Sequence, residues 1–85
     1  MNVSRDEQRV LHVLARGGQI RHLRGDNGRV HHIDCFTHEG YLLSDCTLAI
    51  FAALRRKRLI ESRQGAPYRI SRLGRLAVRS QADNR

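Results

Sequence analysis

The apolar positions fall into short groups, each with its own period. Val10, Leu11 and Leu14 recur at helical spacing behind Ser4-Arg5-Asp6-Glu7. That tetrapeptide has the form of a capping box: the Ser4 hydroxyl takes the Glu7 amide, and the Glu7 carboxylate reaches back to the Ser4 amide. Asp6 and Glu7 in the first turn and Arg16 in the last suit the helix dipole, and Gly17-Gly18 stop the segment. The pattern predicts a helix over residues 4–16. Ile20 and Leu23, then Val30, Ile33 and Cys35, flank Gly25-Asp26-Asn27-Gly28. Asn and Gly tolerate positive φ, so this stretch predicts a β-hairpin. Ile20/Leu23 and Val30/Ile33 are each three apart rather than two, which calls for a bulge or for partial exposure of one strand.

Thr37 to Gly40 reads as a turn, and Tyr41-Leu42-Leu43 fits either a short buried strand or the tail of a helix. Ser44 or Asp45 then caps a second helix to Arg58, with Leu48, Ile50, Phe51 and Leu54 on its apolar side. Leu59–Arg63 and Tyr68–Ile70 surround the break at Gln64-Gly65-Ala66-Pro67 and form a second hairpin. Ser71 caps a closing helix through Leu73, Leu76 and Ala77, and the polar "SQADNR" at the end is expected to fray. No repeat, low-complexity segment or linker interrupts the chain. The expected architecture is a single α+β domain over residues 1–85, winged-helix-like, with three helices and two β-hairpins.

Charge adds a direction. The 85 residues carry 16 basic against 8 acidic side chains, a formal net charge of +8, and every basic residue except Lys57 is arginine. Guanidinium suits bidentate contact with phosphate or carboxylate. The excess implies an anionic partner, either nucleic acid or an acidic protein surface. A chain of this length buries about 60–65% of its unfolded surface, so the core is thin. No run approaches the roughly 18 apolar residues of a membrane span. "MNVSRDEQR" lacks the apolar segment of a secretory signal. Cytoplasmic residence is therefore expected, with Cys35 and Cys46 held as thiols.

Three kinds of chemistry can be weighed. His31, His32, Cys35 and His38 lie close in sequence, and Cys46 would complete a tetrahedral zinc set. The paired spacing of a structural zinc site is absent, however, and neighbours on a strand point to opposite faces, so no metal and no cofactor is expected. Cys35, His38 and Glu39 hold the atoms of a nucleophile and base, but neighbours in a strand and turn rarely form such a pair beside a pocket. No catalytic residue, and no enzyme, is expected. The arginines remain. Arg55, Arg56, Lys57 and Arg58 end the second helix, where the dipole accounts for one or two cations but not for four. Arg63, Arg69, Arg72 and Arg75 follow on the second hairpin and closing helix. If that hairpin forms, these groups gather on one side and meet an anionic partner.

Two resemblances extend this. "LRRKRLIES" and "PYRISRLG", within residues 44–80, resemble the second half of bacterial winged-helix regulators, whose helix before the wing enters the major groove. The motif also needs a helix just ahead of that one, where this chain has a hairpin and the Thr37–Leu43 segment. Over nearly its full length the chain resembles the bacterial YjhX toxin family, through "VSRDEQRVLHVLA", "GRVHHIDCF", "EGYLLSDCTLAIF", "GAPYRI" and the terminal "DNR". In the first of these, Val3 replaces a leucine. The resemblance implies a toxin of a toxin–antitoxin pair, inhibition of DNA topoisomerase I, and a small acetyltransferase-fold antitoxin as partner. It transfers no catalytic motif. The expectation is thus a toxin that binds DNA topoisomerase I or its DNA complex. The alternatives are a winged-helix transcriptional regulator and a basic domain whose main partner is its acidic antitoxin. A homodimer stays open, and no membrane partner is implied.

Overall fold

Ser4 opens the first helix as its spacing from Glu7 requires. In the computed structural model, which describes residues 2–81, α1 spans Arg5–Ala15. The Ser4 hydroxyl accepts the Glu7 amide at 3.1 Å and the Glu7 carboxylate accepts the Ser4 amide at 3.2 Å. Val10, Leu11 and Leu14 are its buried apolar stripe. Gly17, at φ 103°, turns the chain out of the helix.

Strands β1 (Gln19–Arg24) and β2 (Val30–Phe36) pair antiparallel, with Ile20 opposite Cys35 and His22 opposite Ile33. Both pairs lie on one face of the hairpin, where Ile20, Cys35 and Ile33 are buried. The register slips between Leu23 and Arg24. This is the irregularity that the three-residue spacing called for, and Leu23 is left exposed. After the Thr37–Gly40 turn, Leu42 bridges Phe36 and the Leu43 amide bonds the Cys35 carbonyl at 2.8 Å. Tyr41–Leu43 is therefore strand-like, but Tyr41 and Leu42 face solvent rather than the core.

Helix α2 spans Leu48–Arg56 and is capped by Thr47, whose hydroxyl accepts the Ile50 amide at 3.2 Å. The cap lies later than Ser44 or Asp45, which form a turn, and Cys46, between that turn and the helix, is buried in the core. Asp45 pairs instead with Arg9. The helix ends before Arg58, which adopts a left-handed φ of 61° while the Leu59 amide closes on the Leu54 carbonyl at 2.9 Å.

The second hairpin is β3 (Ile60–Glu61) and β4 (Arg69–Ile70). Tyr68, just ahead of β4, exchanges both backbone hydrogen bonds with Ile20, at 2.9 and 2.8 Å. The wing is thereby tied to the edge of β1. Helix α3 (Arg72–Gln81) starts at Ser71, whose hydroxyl accepts the Gly74 amide at 3.0 Å and donates to the Arg58 carbonyl at 2.7 Å. Gly74 is buried against Leu59, so the side of α3 carrying Ala77 and Val78 packs inward. Leu73 and Leu76, through which the closing helix was expected to run together with Ala77, are 40% and 49% exposed as a result.

The fold is thus α+β, with three helices and two small antiparallel sheets around one core that includes Leu11, Leu14, Ile20, Phe51, Leu54 and Leu59. Among the described residues no helix lies between α1 and α2, so the helix pair of a complete winged helix is not formed. No described helix is long and apolar enough to cross a membrane. The expected fraying falls on the chain end, where residues 82–85 lie outside the described residues.

Candidate nucleic-acid interface

The last turn of α2 projects Arg55 and Arg56 into solvent, where their charge also complements the carbonyl end of the helix. Across from them stands the first hairpin. Its turn is fixed by the Asn27 side chain, which accepts the Arg29 amide at 2.9 Å, and by Arg24, whose Nη1 donates to the Gly28 carbonyl at 2.7 Å. Arg24, Arg29, Arg55 and Arg56 thereby rim one groove of about 570 Å³, with Val30, Leu48 and Phe51 among its apolar lining. Among the described residues, Arg29, Arg55 and Arg56 have no ion-pair or hydrogen-bond partner for their side chains.

The expected basic residues do not form a single group. Arg63, Arg69 and Arg75 come together around a smaller recess of about 300 Å³ on the wing and α3. Arg63 lies a loose 3.7 Å from Glu61, and Arg69 donates to the Gln19 side chain at 3.1 Å. Arg58 and Arg72 are exposed and line neither recess. Lys57 turns the other way. Its ammonium donates to the Glu7 carboxylate and to the Asn2 carbonyl, each at 2.6 Å, and its side chain is only 24% exposed. Burial alone would raise the Glu7 carboxyl. The hydrogen bonds from Lys57 and Ser4 and the nearby ammonium outweigh it and hold the group below its ordinary value. Lys57 therefore fastens α2 to the start of α1.

Arg24 and Arg29 are the residues that sequence reasoning missed. They flank the Gly25–Gly28 turn, which was a sufficient signal that a hairpin would bring them close to one another. That they would also face α2 depends on tertiary packing. Behind the groove, burial and then the charges of Arg24 and Arg55 press the His22 imidazole below its ordinary value. Its ring meets the Tyr68 ring edge-on at 5.0 Å.

The histidines are dispersed, whereas the two cysteines meet in the core. His31 and His32 are exposed neighbours on β2, and His32 lies 3.2 Å from Asp34. Cys35 and Cys46 are buried free thiols. A hydrogen bond with Cys46 and burial push the Cys35 thiol up, away from nucleophilic character. Among the described residues no three His, Cys, Asp or Glu side chains are grouped so as to hold a metal ion.

With this geometry in view, the relatives are informative. Residues 1–85 match a family described as "Putative toxin of bacterial toxin-antitoxin pair". The chain belongs to the YjhX toxin family. Relatives named UPF0386 protein from Brucella anthropi and Beijerinckia indica are 69% and 64% identical to it over 85 residues, covering 100% of both chains. One from Rhodospirillum rubrum is 60% identical over 84 residues, 99% of this chain and 93% of its own. No solved structure matches. A YjhX-family toxin has, by the family's description, an antitoxin as its counterpart.

Proposed function

We propose that this chain is a growth-inhibiting toxin that acts by binding rather than by catalysis, and that it engages DNA, free or held by DNA topoisomerase I. The observation that carries this reading is the groove rimmed by Arg24, Arg29, Arg55 and Arg56, three of whose guanidiniums lack any partner within the fold. These cations sit on a helix end and a braced turn, so they face an incoming polyanion already in place. Phosphate contacts would supply affinity without reading sequence. The wing cluster of Arg63, Arg69 and Arg75 extends the same kind of contact. The resemblance points to topoisomerase I as the target and to an acetyltransferase-fold antitoxin, which would silence the toxin by covering this basic face in the cytoplasm.

The test combines DNA binding across a salt series with topoisomerase I relaxation and growth on induction. Contacts from the four groove arginines predict a log–log salt slope of about −3 to −4. Arg29→Glu/Arg56→Glu alters two exposed side chains without internal partners. It is expected to stay folded while losing DNA affinity, relaxation inhibition and growth inhibition. A folded, fully active double variant would refute the reading. A single high-affinity site whose discrimination depends on Arg56 would instead favour a transcriptional regulator.

A further inference from the structure

A second set of cations, sharing Arg69 with the wing recess, lies across the seam where the wing docks on the first hairpin. Because Tyr68 exchanges both backbone bonds with Ile20, Arg69 is placed beside Gln19, and its Nη2 donates to Gln19 Oε1 at 3.1 Å. Gln19 stands opposite Phe36 in the ladder. Arg21, two residues on and so on the same face, lies over the Phe36 ring, 5.7 Å from its centroid. Past Phe36 the chain turns: the Gly40 amide bonds the Thr37 carbonyl at 2.9 Å, and the Tyr41 amide bonds the Thr37 hydroxyl at 3.0 Å. That turn sets His38 against Gly17, where a Cβ would come within 2.9 Å of His38 Nδ1. Arg21, Arg69, His38, Thr37 and Phe36 line an open recess of about 600 Å³, and no carboxylate is in its lining. The acid opposite Arg21 in the ladder, Asp34, lies 3.2 Å from His32.

We propose that this recess binds a phosphate monoester. Its two guanidiniums are oriented by neutral partners, an aromatic ring and a carboxamide; Glu61, opposite Arg69 in the second hairpin, lies 3.7 Å from Arg63, and among the described residues no carboxylate forms an ion pair with Arg21 or Arg69. A dianionic phosphoryl group matches that pair better than a single carboxylate does, and its three terminal oxygens can accept from both forks at once. Thr37 accepts a backbone amide and so keeps its hydroxyl proton free to donate, and the imidazole adds a further polar group. The volume exceeds that of phosphate alone and leaves room for the esterified group. A free nucleotide and the 5′ end of a nucleic acid both supply this chemistry. The assignment shares Arg69 with the proposed DNA contact of the wing but does not use the groove that carries that reading.

Amide chemical-shift titration of the full chain tests it. The probes are adenosine 5′-monophosphate, adenosine, and one short single-stranded oligonucleotide with and without a 5′-phosphate. Saturable shifts at Arg21, Phe36, His38, Gly40 and Arg69 are expected with a phosphorylated probe. Binding of its unphosphorylated counterpart should be weaker by on the order of tenfold or more. Whichever phosphorylated probe binds more tightly identifies the source. Arg21→Gln/Arg69→Gln is expected to weaken binding by a similar factor, and Arg79→Gln to leave it unchanged. Should the double variant not fold, the wild-type titration and His38→Asn still decide. Equal shifts at these five residues with and without the phosphate, adenosine 5′-monophosphate shifts spread evenly to the groove of Arg24, Arg29, Arg55 and Arg56, or no saturable shift at all would overturn the proposal.

Discussion

Gly74→Ala is the sharpest probe of how α3 is seated. In an exposed helix interior this change would stabilise by about 1 kcal/mol, because alanine loses less backbone entropy. Here the added Cβ would lie 2.2 Å from the Leu59 carbonyl oxygen and 2.7 Å from Ile70 Cγ1. Neither can step aside cheaply. The same Leu59 carbonyl accepts the Ser71 amide at 3.0 Å, and Ile70 is in the core. Relief requires α3 to retreat by about 1 Å, a gap that forfeits up to half of each dispersion contact made across it. The retreat also stretches the Ser71 hydroxyl, which spans the Gly74 amide and the Arg58 carbonyl. Overpacking costs about 1–3 kcal/mol and a weakened hydrogen bond about 1 kcal/mol. Set against the propensity gain, the net loss is about 2 kcal/mol, which lowers Tm by about 10–15 °C in a domain of this size. Thermal and urea unfolding measure it, with Arg75→Ala as an exposed neighbour expected within about 0.5 kcal/mol of wild type. A Gly74→Ala chain with unchanged or higher Tm would refute the close approach of α3 to the wing.

Two further outcomes follow from buried groups. Acid should destabilise the fold in two stages. His22 resists protonation when folded, so stability falls as pH drops below its ordinary 6.5, and Glu7 adds a second loss as pH falls from its ordinary 4.5 through its lowered folded value. Tm measured across pH should lose the upper stage in His22→Gln and the lower in Glu7→Gln; a wild-type profile flat from neutrality to about pH 5 would contradict the first assignment, and one flat from there to about pH 3 the second. Tyr68→Ala removes a ring that meets His22 and Phe51 edge-on at 5.0 Å each, and should cost about 3–5 kcal/mol in urea denaturation, whereas Tyr68→Phe should cost about 1 kcal/mol or less. A small loss for Tyr68→Ala would mean that the wing docks through its backbone alone.

What was legible in the sequence was the chemistry that completes itself within a few residues. Ser4 and Glu7 announce α1 because both halves of the capping box lie in one turn, and Gly25–Gly28 announces the first hairpin for the same reason. The start of α2 was misplaced because Ser44, Asp45 and Thr47 are all competent caps. In the fold Ser44 and Asp45 form a turn and Cys46 after them is buried, a tertiary event. Leu73 and Leu76 look like a core face by composition, yet the smallest residue on α3 sets its orientation. Gly74 alone lets the helix reach the backbone of Leu59, and that rotation carries the leucines outward. The basic run at 55–58 divides likewise, since Lys57 at the helix cap turns back to Glu7 while Arg55 and Arg56 do not.

That division bears on why a net charge of +8 is a weaker guide to function than the state of individual cations. Arg9 and Lys57 have carboxylate partners, and their charge is answered within the fold. Arg29, Arg55 and Arg56 have none, although they rim the same groove as Arg24. Like charges held around one groove repel, and a domain with so thin a core has little stability with which to offset that repulsion. An acidic side chain at Leu48 or Ala52, both exposed, would have relieved it at little cost, and the groove lining contains none. Repulsion left standing within the free protein is relieved when an anion enters, so the same arrangement that weakens the fold strengthens binding. The groove's own electrostatics, more than overall composition, thus favour an anionic partner over a merely solvated surface.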